Sequence, residues 1–556
     1  MIAAARPLAV TAAALRRLPV WPVSIWLVLV VSGLITRPPL SPIESEPFSL
    51  AWWMWQEGAL LPSTVEGLEA QPPLLFWLIH LGWAIFGVSE VWARLVTPLT
   101  ALAALMLIGP AARLIWPERP EAAPLAGVVL VGSGGFTLFS GLTVFNMPLL
   151  LFVLLGLYGV ALARRGKAVG WALFGVGLGL GFLMNGPVAL MHLLPLPLLT
   201  RLWMDANRQP RWAGWYVGLG FAILLGALIS LTWIAPSLAV GGMPHLMAAL
   251  FDPIALGLAD FGPWYWFLLA LPLALYPWLW WRTLWRAAQR QLRRHPEEGL
   301  RFCGTAAAIS GGVALIAGDR QFQDLLPALP ALALIAARLL AAQGGKPKDF
   351  HAVIPGLFAL FVGLVFFLLN IVPVAHLDSV WREFIDDDNL PIWLGGISQV
   401  SGLVLLGGGY LLAQMTPREI FSRTVQVALL PVLLVTTLNI EFLFSLRRFF
   451  DLEPVAQQIH SLQQQGAPVA VFGGYRGEFD FSGRLEQPLT VIDEPSAVLD
   501  WAKANENGII VSYFQGSVLR LPGQPLKLGI VGNSWTALWS ASTIQETDGT
   551  VLQPRF

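Results

Sequence analysis

The feature that most constrains this chain is a succession of apolar segments, each about as long as a membrane-spanning helix. A helix needs roughly 20 mostly apolar residues to cross the hydrocarbon core of a bilayer. Only 12% of the 556 residues are charged and 56% are hydrophobic, whereas a soluble domain carries about 25% charged residues. Thirteen segments qualify as spans, near residues 20–37, 93–115, 122–142, 146–163, 169–185, 187–203, 213–240, 264–282, 302–317, 324–342, 352–374, 392–413 and 424–445. The sequence therefore predicts a mainly α-helical, polytopic membrane protein.

The stretch 73–87 is apolar but short and begins with proline, so we interpret it as an interfacial helix. If it spanned the membrane, the number of spans would be fourteen and the topology after it would invert. Charge supports the first interpretation, because lysine and arginine concentrate in cytoplasmic loops. With a cytoplasmic N-terminus, nearly all basic clusters share that side, while the acidic loops near 44–69, 252–260 and 378–388 lie outside. We expect an integral protein of the plasma (inner) membrane.

The composition changes after about residue 450. A helical pattern at 453–465 is followed by short apolar runs typical of buried strands, at 467–475, 487–492 and 507–514, with a polar helical stretch at 494–505. The runs 526–532 and 534–540 have the pattern of a closing hairpin across Asn533. We therefore divide the chain into a membrane domain, 1–450, with interfacial helices within 38–92, and a small exoplasmic α/β domain, 451–556.

Two glutamates, Glu44 and Glu46, follow the first apolar segment on the outer side. A partly buried carboxylate there can act as a general base, because burial raises its pKa toward the working pH. The alternative is a pair of ordinary solvated loop acids. Arg320 is one of few outward cations, and its guanidinium can bind a lipid phosphate bidentately. The alternative interpretation of Arg320 is a simple interfacial anchor paired with Asp319 or Asp324.

Two further side chains are candidates for substrate binding. Arg94 opens the second span beside Glu90, which on composition alone favours an interfacial ion pair, and His245 lies in an outer loop. The chain has no paired-histidine zinc motif and no phosphate-binding loop, so we expect no bound metal and no nucleotide-driven transport. Its single cysteine, Cys303, excludes an intrachain disulfide, and its zero net charge gives no indication of nucleic acid.

Several stretches occur in an order and spacing that are found together in one superfamily. They are Glu44-Ser45-Glu46, Phe48 to Gly58, Gln71-Pro72-Pro73-Leu74, Phe86-Gly87, Ala93-Arg94-Leu95, Phe145 to Leu149, Gly179 to Pro187, Gly262 to Tyr265, Pro277-Trp278 and Leu326 to Ala333. In this order they resemble the GT-C membrane glycosyltransferases, in particular the bacterial lipid A aminoarabinose transferases and the protein O-mannosyltransferases. The resemblance covers most of residues 20–450 and, more loosely, the C-terminal domain.

The resemblance implies a GT-C-like fold and a reaction on the exoplasmic face. Such proteins take a sugar from a polyprenyl-phosphate carrier, without nucleotide or other cofactor, and the acceptor here would be a lipid, glycan or protein. Either Glu44 or Glu46 would be the base, and the spacing to Gly58 favours Glu44. The candidate substrate-binding residues are Gln71, Arg94, Asn146, Asn185, His245 and Arg320.

Three of these positions depart from the family pattern. Gln71 and Asn185 replace lysines, and Asn146 replaces an acid. An amide can still hydrogen-bond a phosphate but supplies no ionic attraction, which is worth more in a low-dielectric cleft. A non-catalytic relative that binds a lipid-linked sugar, or that scaffolds a partner, is therefore the alternative. A transporter is disfavoured, because the apolar spans show little sign of an ionisable pair at mid-membrane depth.

Overall fold

Helices form the protein up to residue 450, before the first strand. The structure, a computed structural model, describes residues 19–63, 71–205, 210–259, 265–292, 297–316, 321–343, 352–369, 371, 396–415, 417–514, 524–532 and 534–547. The helices up to residue 240 are α1 (Val20–Thr36), α2 (Ser45–Glu57), α3 (Leu74–Phe86), α4 (Glu90–Ile115), α5 (Ala122–Val131), α6 (Gly134–Phe139), α7 (Asn146–Arg164), α8 (Val169–Leu193), α9 (Pro195–Leu198), α10 (Thr200–Trp203) and α11 (Trp212–Val240).

Further helices follow between residues 242 and 450. They are α12 (Gly242–Ala259), α13 (Tyr265–Ala274), α14 (Arg282–Leu292), α15 (Glu298–Ile316), a 3-10 turn (Phe322–Ala328), α16 (Leu329–Ala341), α17 (Val353–Leu369), α18 (Gln399–Gln414), α19 (Ile420–Glu441), a π turn (Phe442–Leu446) and α20 (Arg447–Phe450). Glycine and serine set local boundaries: Gly58 ends α2 at a left-handed φ of 64°, and the Ser89 side chain accepts the Trp92 amide at the start of α4.

The protein is an integral membrane protein with a mainly helical fold. Among the described residues, seven helical stretches are long and apolar enough to cross a membrane, and four shorter apolar helices of 10–17 residues accompany them. The predicted number of thirteen spans is not confirmed by these helices and stays a prediction. The stretch interpreted as interfacial is the separate 13-residue helix α3, which packs on α2 and α4.

Helix α8 turns back on itself at Asn185 and Gly186. Both residues leave helical geometry, and Gly186 has φ 55° and ψ −144°. A Cβ on Gly181 would lie 3.2 Å from Ala189 Cβ, although residues eight apart in a straight helix are separated by about 12 Å. Trp171 and Trp203 also both pack on Trp215, with ring centroids at 4.8 and 6.3 Å. The two segments predicted at 169–185 and 187–203 are thus the arms of a helical hairpin with Asn185 at its crest.

The C-terminal residues form a small α/β unit with a five-stranded sheet of order β2-β1-β3-β5-β4. Its elements are α21 (Glu453–Gln464), β1 (Val469–Phe472), α22 (Asp480–Gly483), β2 (Thr490–Ile492), α23 (Pro495–Ala504), β3 (Ile509–Phe514), β4 (Lys527–Val531), β5 (Ser534–Ser540) and α24 (Ala541–Glu546). Strand β1 pairs in parallel with β2 and β3, and β5 pairs antiparallel with β3 and β4. The predicted strands, polar helix and closing hairpin are confirmed, although Asn533 itself lies outside the described residues.

Candidate active site

Glu44, at the start of α2, is completely buried, with 0% of its surface exposed. Its Oε2 forms an ion pair with Arg37 and accepts the Leu40 amide at 3.0 Å. Its Oε1 accepts the Thr143 amide at 2.9 Å, just before the start of α7. The carboxylate therefore joins the acidic loop to the end of α1 and to the N-terminal end of α7.

Two arginines surround this carboxylate. Arg37 Nη2 donates to the Gly141 carbonyl at 2.7 Å, and Arg94 Nη2 donates to the Gly33 carbonyl at 2.8 Å. Burial raises the pKa of Glu44, but the charges of Arg37 and Arg94 and the hydrogen bonds from Arg37 and Leu40 outweigh it and hold the pKa below its usual range. The net shift is opposite to the one expected from burial alone, so Glu44 is ionised at neutral pH.

Glu46, the other candidate base, lies in the first turn of α2 and is half-buried. Its backbone amide donates to the Pro42 carbonyl at 3.2 Å. A carboxylate near a helix N-terminus is favoured by the helix dipole. Glu46 is thus more accessible than Glu44 and lies two residues further along the chain.

A chain of polar side chains links three distant segments. Asn185 Nδ2, at the crest of the α8 hairpin, donates to Asn146 Oδ1 at 3.1 Å, and Asn146 Nδ2 donates to Asp324 Oδ1 at 2.8 Å. Asp324 Oδ2 accepts the Gln321 amide at 2.8 Å. We call Asn146, Asn185 and Asp324 the polar array. It brings a carboxylate beside Asn146, the position at which the family pattern has an acid.

The polar array and the acidic loop are neighbours. Thr143, which binds Glu44, precedes Asn146 by three residues. Phe145 packs edge-on against Phe76 of α3, with ring centroids 5.9 Å apart. The predicted site residues Glu44, Asn146 and Asn185 therefore come together around the N-terminal end of α7, with the beginning of α3 beside them.

The other predicted site residues lie around this centre or outside the described residues. Gln71 is half-buried just before α3, and His245 is half-buried in the first turns of α12. Within the described residues, no hydrogen bond connects either side chain to the polar array. Arg94 is buried next to Glu44, with Nη1 3.2 Å from Glu90. Arg320 lies outside the described residues, and its role stays a prediction.

The aromatic run of α2 binds the C-terminal domain. Asp480, 4% exposed, accepts Ser49 Oγ at 2.5 Å, Trp53 Nε1 at 3.0 Å and Tyr475 Oη at 2.6 Å. Trp52 Nε1 donates to the Leu485 carbonyl at 2.9 Å. We call this contact the domain joint. It fixes α2, and with it Glu44 and Glu46, to a segment more than 400 residues further along the chain.

Three residues of this region escaped the sequence analysis as site residues. Arg37 is the last residue of the first predicted span, and its position 7 residues before Glu44 was a usable signal. Asp324 was considered only as a partner for Arg320. Asp480 lies in a domain for which no site residue was predicted, and nothing in its local sequence indicates contact with α2. The residues of the joint are far apart in the sequence and come together only in the folded protein. The local sequence pattern around either segment therefore does not reveal the contact.

Comparison with known structures assigns the fold. The protein is similar to ArnT from Cupriavidus metallidurans in its apo state, with a TM-score of 0.71 and 16% identity over 96% of this chain and 99% of that one. ArnT bound to undecaprenyl phosphate gives a TM-score of 0.69, also with 16% identity, over 93% of this chain and 97% of that one. The protein therefore has the GT-C fold of membrane glycosyltransferases, and the resemblance predicted from the sequence is confirmed.

Sequence comparison gives further similar proteins. Residues 70–233 match the family described as dolichyl-phosphate-mannose-protein mannosyltransferase. The chain is 28% identical over 222 residues to the undecaprenyl phosphate-alpha-4-amino-4-deoxy-L-arabinose arabinosyl transferase of Pseudomonas paraeruginosa, covering 37% of this chain and 39% of that protein. It is 26% identical over 310 residues to a second such transferase, from Pseudomonas fluorescens, covering 53% and 54%. The alignments thus span between about two fifths and about half of the relatives' length.

Proposed function

We propose that this protein transfers a sugar from a polyprenyl-phosphate-linked donor to a lipid, glycan or protein acceptor on the exoplasmic face of the membrane. The named relatives are arabinosyl transferases that use an undecaprenyl-phosphate donor, and a protein of the same fold has been solved with undecaprenyl phosphate bound. The observation that carries the proposal is the placing of Glu44 beside the polar array at the N-terminal end of α7. That arrangement brings two carboxylates, of Glu44 and Asp324, and the amides of Asn146 and Asn185 to one helix end.

The charges around Glu44 and the polarity of the neighbouring side chains indicate what each residue would do in the proposed reaction. Glu44 is held ionised by Arg37 and Arg94, so it supplies a fixed negative charge that orients an acceptor proton or stabilises developing positive charge on the sugar. Its low pKa makes it a weak base, and the nearby Glu46 is the second candidate for taking the acceptor proton. The amides of Asn146, Asn185 and Gln71 would bind sugar hydroxyls or the carrier phosphate.

An apolar cavity next to Arg37 suits the lipid part of the donor. It has a volume of about 170 Å³, and its walls include Leu29, Leu138, Val435 and Leu438. Arg37 and Gly141 are also among its lining residues, and Arg37 forms the ion pair with Glu44. An isoprenoid chain in this cavity would place its phosphate toward the Arg37 guanidinium, which binds phosphate oxygens well.

Asp324→Asn tests the polar array. Asn185 donates to Asn146, and Asn146 in turn donates to Asp324, so the direction of every bond depends on an acceptor at position 324. A primary amide there has one oxygen for two donors, and it removes the array's negative charge. We expect sugar transfer, measured with radiolabelled polyprenyl-phosphate sugar in membranes, to fall by about 100-fold. The exposed Asp500→Asn change in α23 is the matched control and should leave transfer at the wild-type rate.

The second candidate function is binding of a lipid-linked sugar without turnover. The uncharged amides at Gln71, Asn146 and Asn185 favour it, because they retain hydrogen bonding but lose the ionic attraction of the family residues. Purified protein incubated with the labelled donor and candidate acceptors separates the two functions. A transferase depletes the donor and labels the acceptor, whereas a binder retains intact donor. Retention with no product after many carrier equivalents would exclude the proposed transfer.

A further inference from the structure

The three elements that carry the polar array each extend away from it to a charged side chain. Helix α7 runs from the array residue Asn146 to Arg164, and α16, which follows the 3-10 turn with Asp324, ends just past Arg338. The second arm of the α8 hairpin continues through α9 and α10 to Asp205. A helix rises 1.5 Å per residue, so the 19 residues of α7 separate its ends by about 28 Å.

Two of these far ends are bound by neighbouring carboxylates at the start of α15. Glu298 accepts Arg164 Nε at 2.8 Å on one oxygen and Nη2 at 3.3 Å on the other. Glu297 binds Arg338 in the same bidentate manner, with Nε 3.0 Å from Oε2. Arg338 is buried and the other three side chains are half-buried. Bidentate pairing fixes direction as well as distance, so the ends of α7 and α16 share one support.

The same turn of α15 holds the third far end, because Arg301 forms an ion pair with Asp205. We call residues 297–301 the anchor turn. Its position is also limited sterically: a Cβ at Gly299 would lie 2.5 Å from the ring nitrogen of Trp116, which follows α4 directly. The Trp116 ring is itself enclosed, with 1% of the residue exposed. Ion pairs and close packing thus hold the anchor turn in one place.

Helix α15 connects the anchor turn to the region of the polar array. Its 19 residues match α7 in length. Near its other end, Ala314 shares a small buried cluster with Leu325 of the 3-10 turn, and the two elements pack together. Packed protein interiors are hardly compressible and transmit displacement. A shift of α7 or α16 at the anchor turn is therefore passed on to the array.

We propose that the anchor turn positions the polar array. Its three charged side chains, of Glu297, Glu298 and Arg301, fix α7, α16 and the α8 hairpin lengthwise against α15. The array bonds of 3.1 and 2.8 Å join three separate elements, so a slide of about 1 Å along one helix breaks at least one bond. A misplacement of that size can lower a reaction rate by about 100-fold. The effect on transfer rests on the proposed function, whereas the alignment of the helices does not.

Hydrogen exchange of the full-length protein in detergent measures the alignment independently of turnover. Glu298→Arg places a second cation beside Arg164. We expect the amides of residues 143–149 and 321–328, at the opposite ends of the helices, to exchange at least about tenfold faster. Residues 509–514 of β3 are the internal reference and should keep their protection. Arg164→Glu combined with Glu298→Arg rebuilds an ion pair and should restore the protection of both array segments.

The matched control is Glu121→Gln, which neutralises an exposed carboxylate directly before α5 and should leave exchange unchanged in all three segments. Wild-type protection of the array segments in Glu298→Arg would overturn the proposal. A uniform loss of protection that includes β3 would also overturn it, because that result indicates general destabilisation. Failure of the charge-reversed pair to restore protection would show that Arg164 and Glu298 do not act through their ion pair, and would equally contradict the proposal.

A double-variant cycle connects the anchor turn to transfer. Glu298→Gln alone should lower transfer at least about tenfold. If it acts through the array, then Glu298→Gln combined with Asp324→Asn should transfer about as fast as Asp324→Asn alone, because the array is already broken. Independent losses multiply, and a double-variant rate equal to their product would overturn the proposal. A wild type without transfer would refute the proposed function, and the exchange measurement would still decide on the anchor turn.

Discussion

Glu44→Gln is expected to abolish sugar transfer and to destabilise the membrane domain by about 3–5 kcal/mol, the usual cost of removing one partner from a buried ion pair. The substitution leaves the Arg37 guanidinium, only 4% exposed, with a neutral amide in place of its carboxylate partner. It also gives up one of the acceptors for the Leu40 and Thr143 amides, because an amide has a single oxygen. Thermal unfolding in detergent and the radiolabelled transfer assay measure the two effects.

A double variant separates structure from chemistry. Glu44→Gln combined with Arg37→Gln removes both charges, so much of the lost stability should return. Arg37 is itself proposed to bind the donor phosphate, so the Arg37→Gln single variant is measured beside it. Transfer that persists in Arg37→Gln but does not return in the double variant would show that the carboxylate acts in the reaction. If the double variant recovers full transfer, Glu44 serves only to hold Arg37. Glu46→Gln is the comparison for the second candidate base, and unchanged transfer in both single variants would rule out the proposed acidic pair.

The pH dependence of Glu44 has a defined sign. Its pKa in the folded protein is below the ordinary value of 4.5, so the folded state binds its proton less readily than the unfolded state. The stabilisation is therefore present above pH 4.5 and is lost as the pH falls through the lower, folded pKa. Acid unfolding of the wild type should include this loss, and Glu44→Gln should lack it.

Asp480→Ala is expected to release the C-terminal domain from α2. The change leaves the buried donors of Ser49, Trp53 and Tyr475 unpaired, at about 1–3 kcal/mol for each group. Because Glu44 caps α2 and Glu46 lies in its first turn, we expect transfer to fall together with the release. Limited proteolysis and hydrogen exchange of residues 453–514 report the detachment. The exposed Asp500→Ala variant is the control, and wild-type protection in Asp480→Ala would contradict this account of the joint.

The charge of Asp480 gives the joint a pH dependence of the opposite sign. Burial raises the pKa of Asp480 more than the hydrogen bonds from Ser49, Tyr475 and Trp53 lower it. The folded state therefore binds its proton more tightly than the unfolded state. The joint is most stable below the unfolded pKa of about 3.8 and weakens as the pH rises through the raised, folded pKa. Asp480→Asn should remove this dependence while it keeps an acceptor for Trp53.

The fold was predictable where the pattern is local. Apolar length identified the helices, short apolar runs identified the strands, and the break at Asn185-Gly186 was correctly placed between two segments. The number of spans was not settled in the same way, since a segment such as 122–142 becomes two helices, α5 and α6, separated by Gly132 and Ser133. Hydropathy measures length and composition, and it does not detect such breaks.

The candidate site was predictable only in part. Glu44, Asn146 and Asn185 were identified by resemblance, and the structure brings them together. The partners that set their chemistry were not identified: Arg37 reverses the expected pKa shift, and Asp324 supplies a carboxylate from a segment 178 residues away. Electrostatic effects depend on distances between atoms, and those distances exist only in the folded chain.

Helix α2 is held at two places, by Glu44 at its start and by Asp480 along its length. A rigid helix held at two points transmits a displacement from one to the other. Movement of the C-terminal domain relative to the membrane would therefore shift the carboxylates of Glu44 and Glu46. An antibody fragment that tilts the C-terminal domain would accordingly slow turnover without competing with the sugar donor. The C-terminal domain, through Asp480, would thereby influence the proposed reaction from a distance.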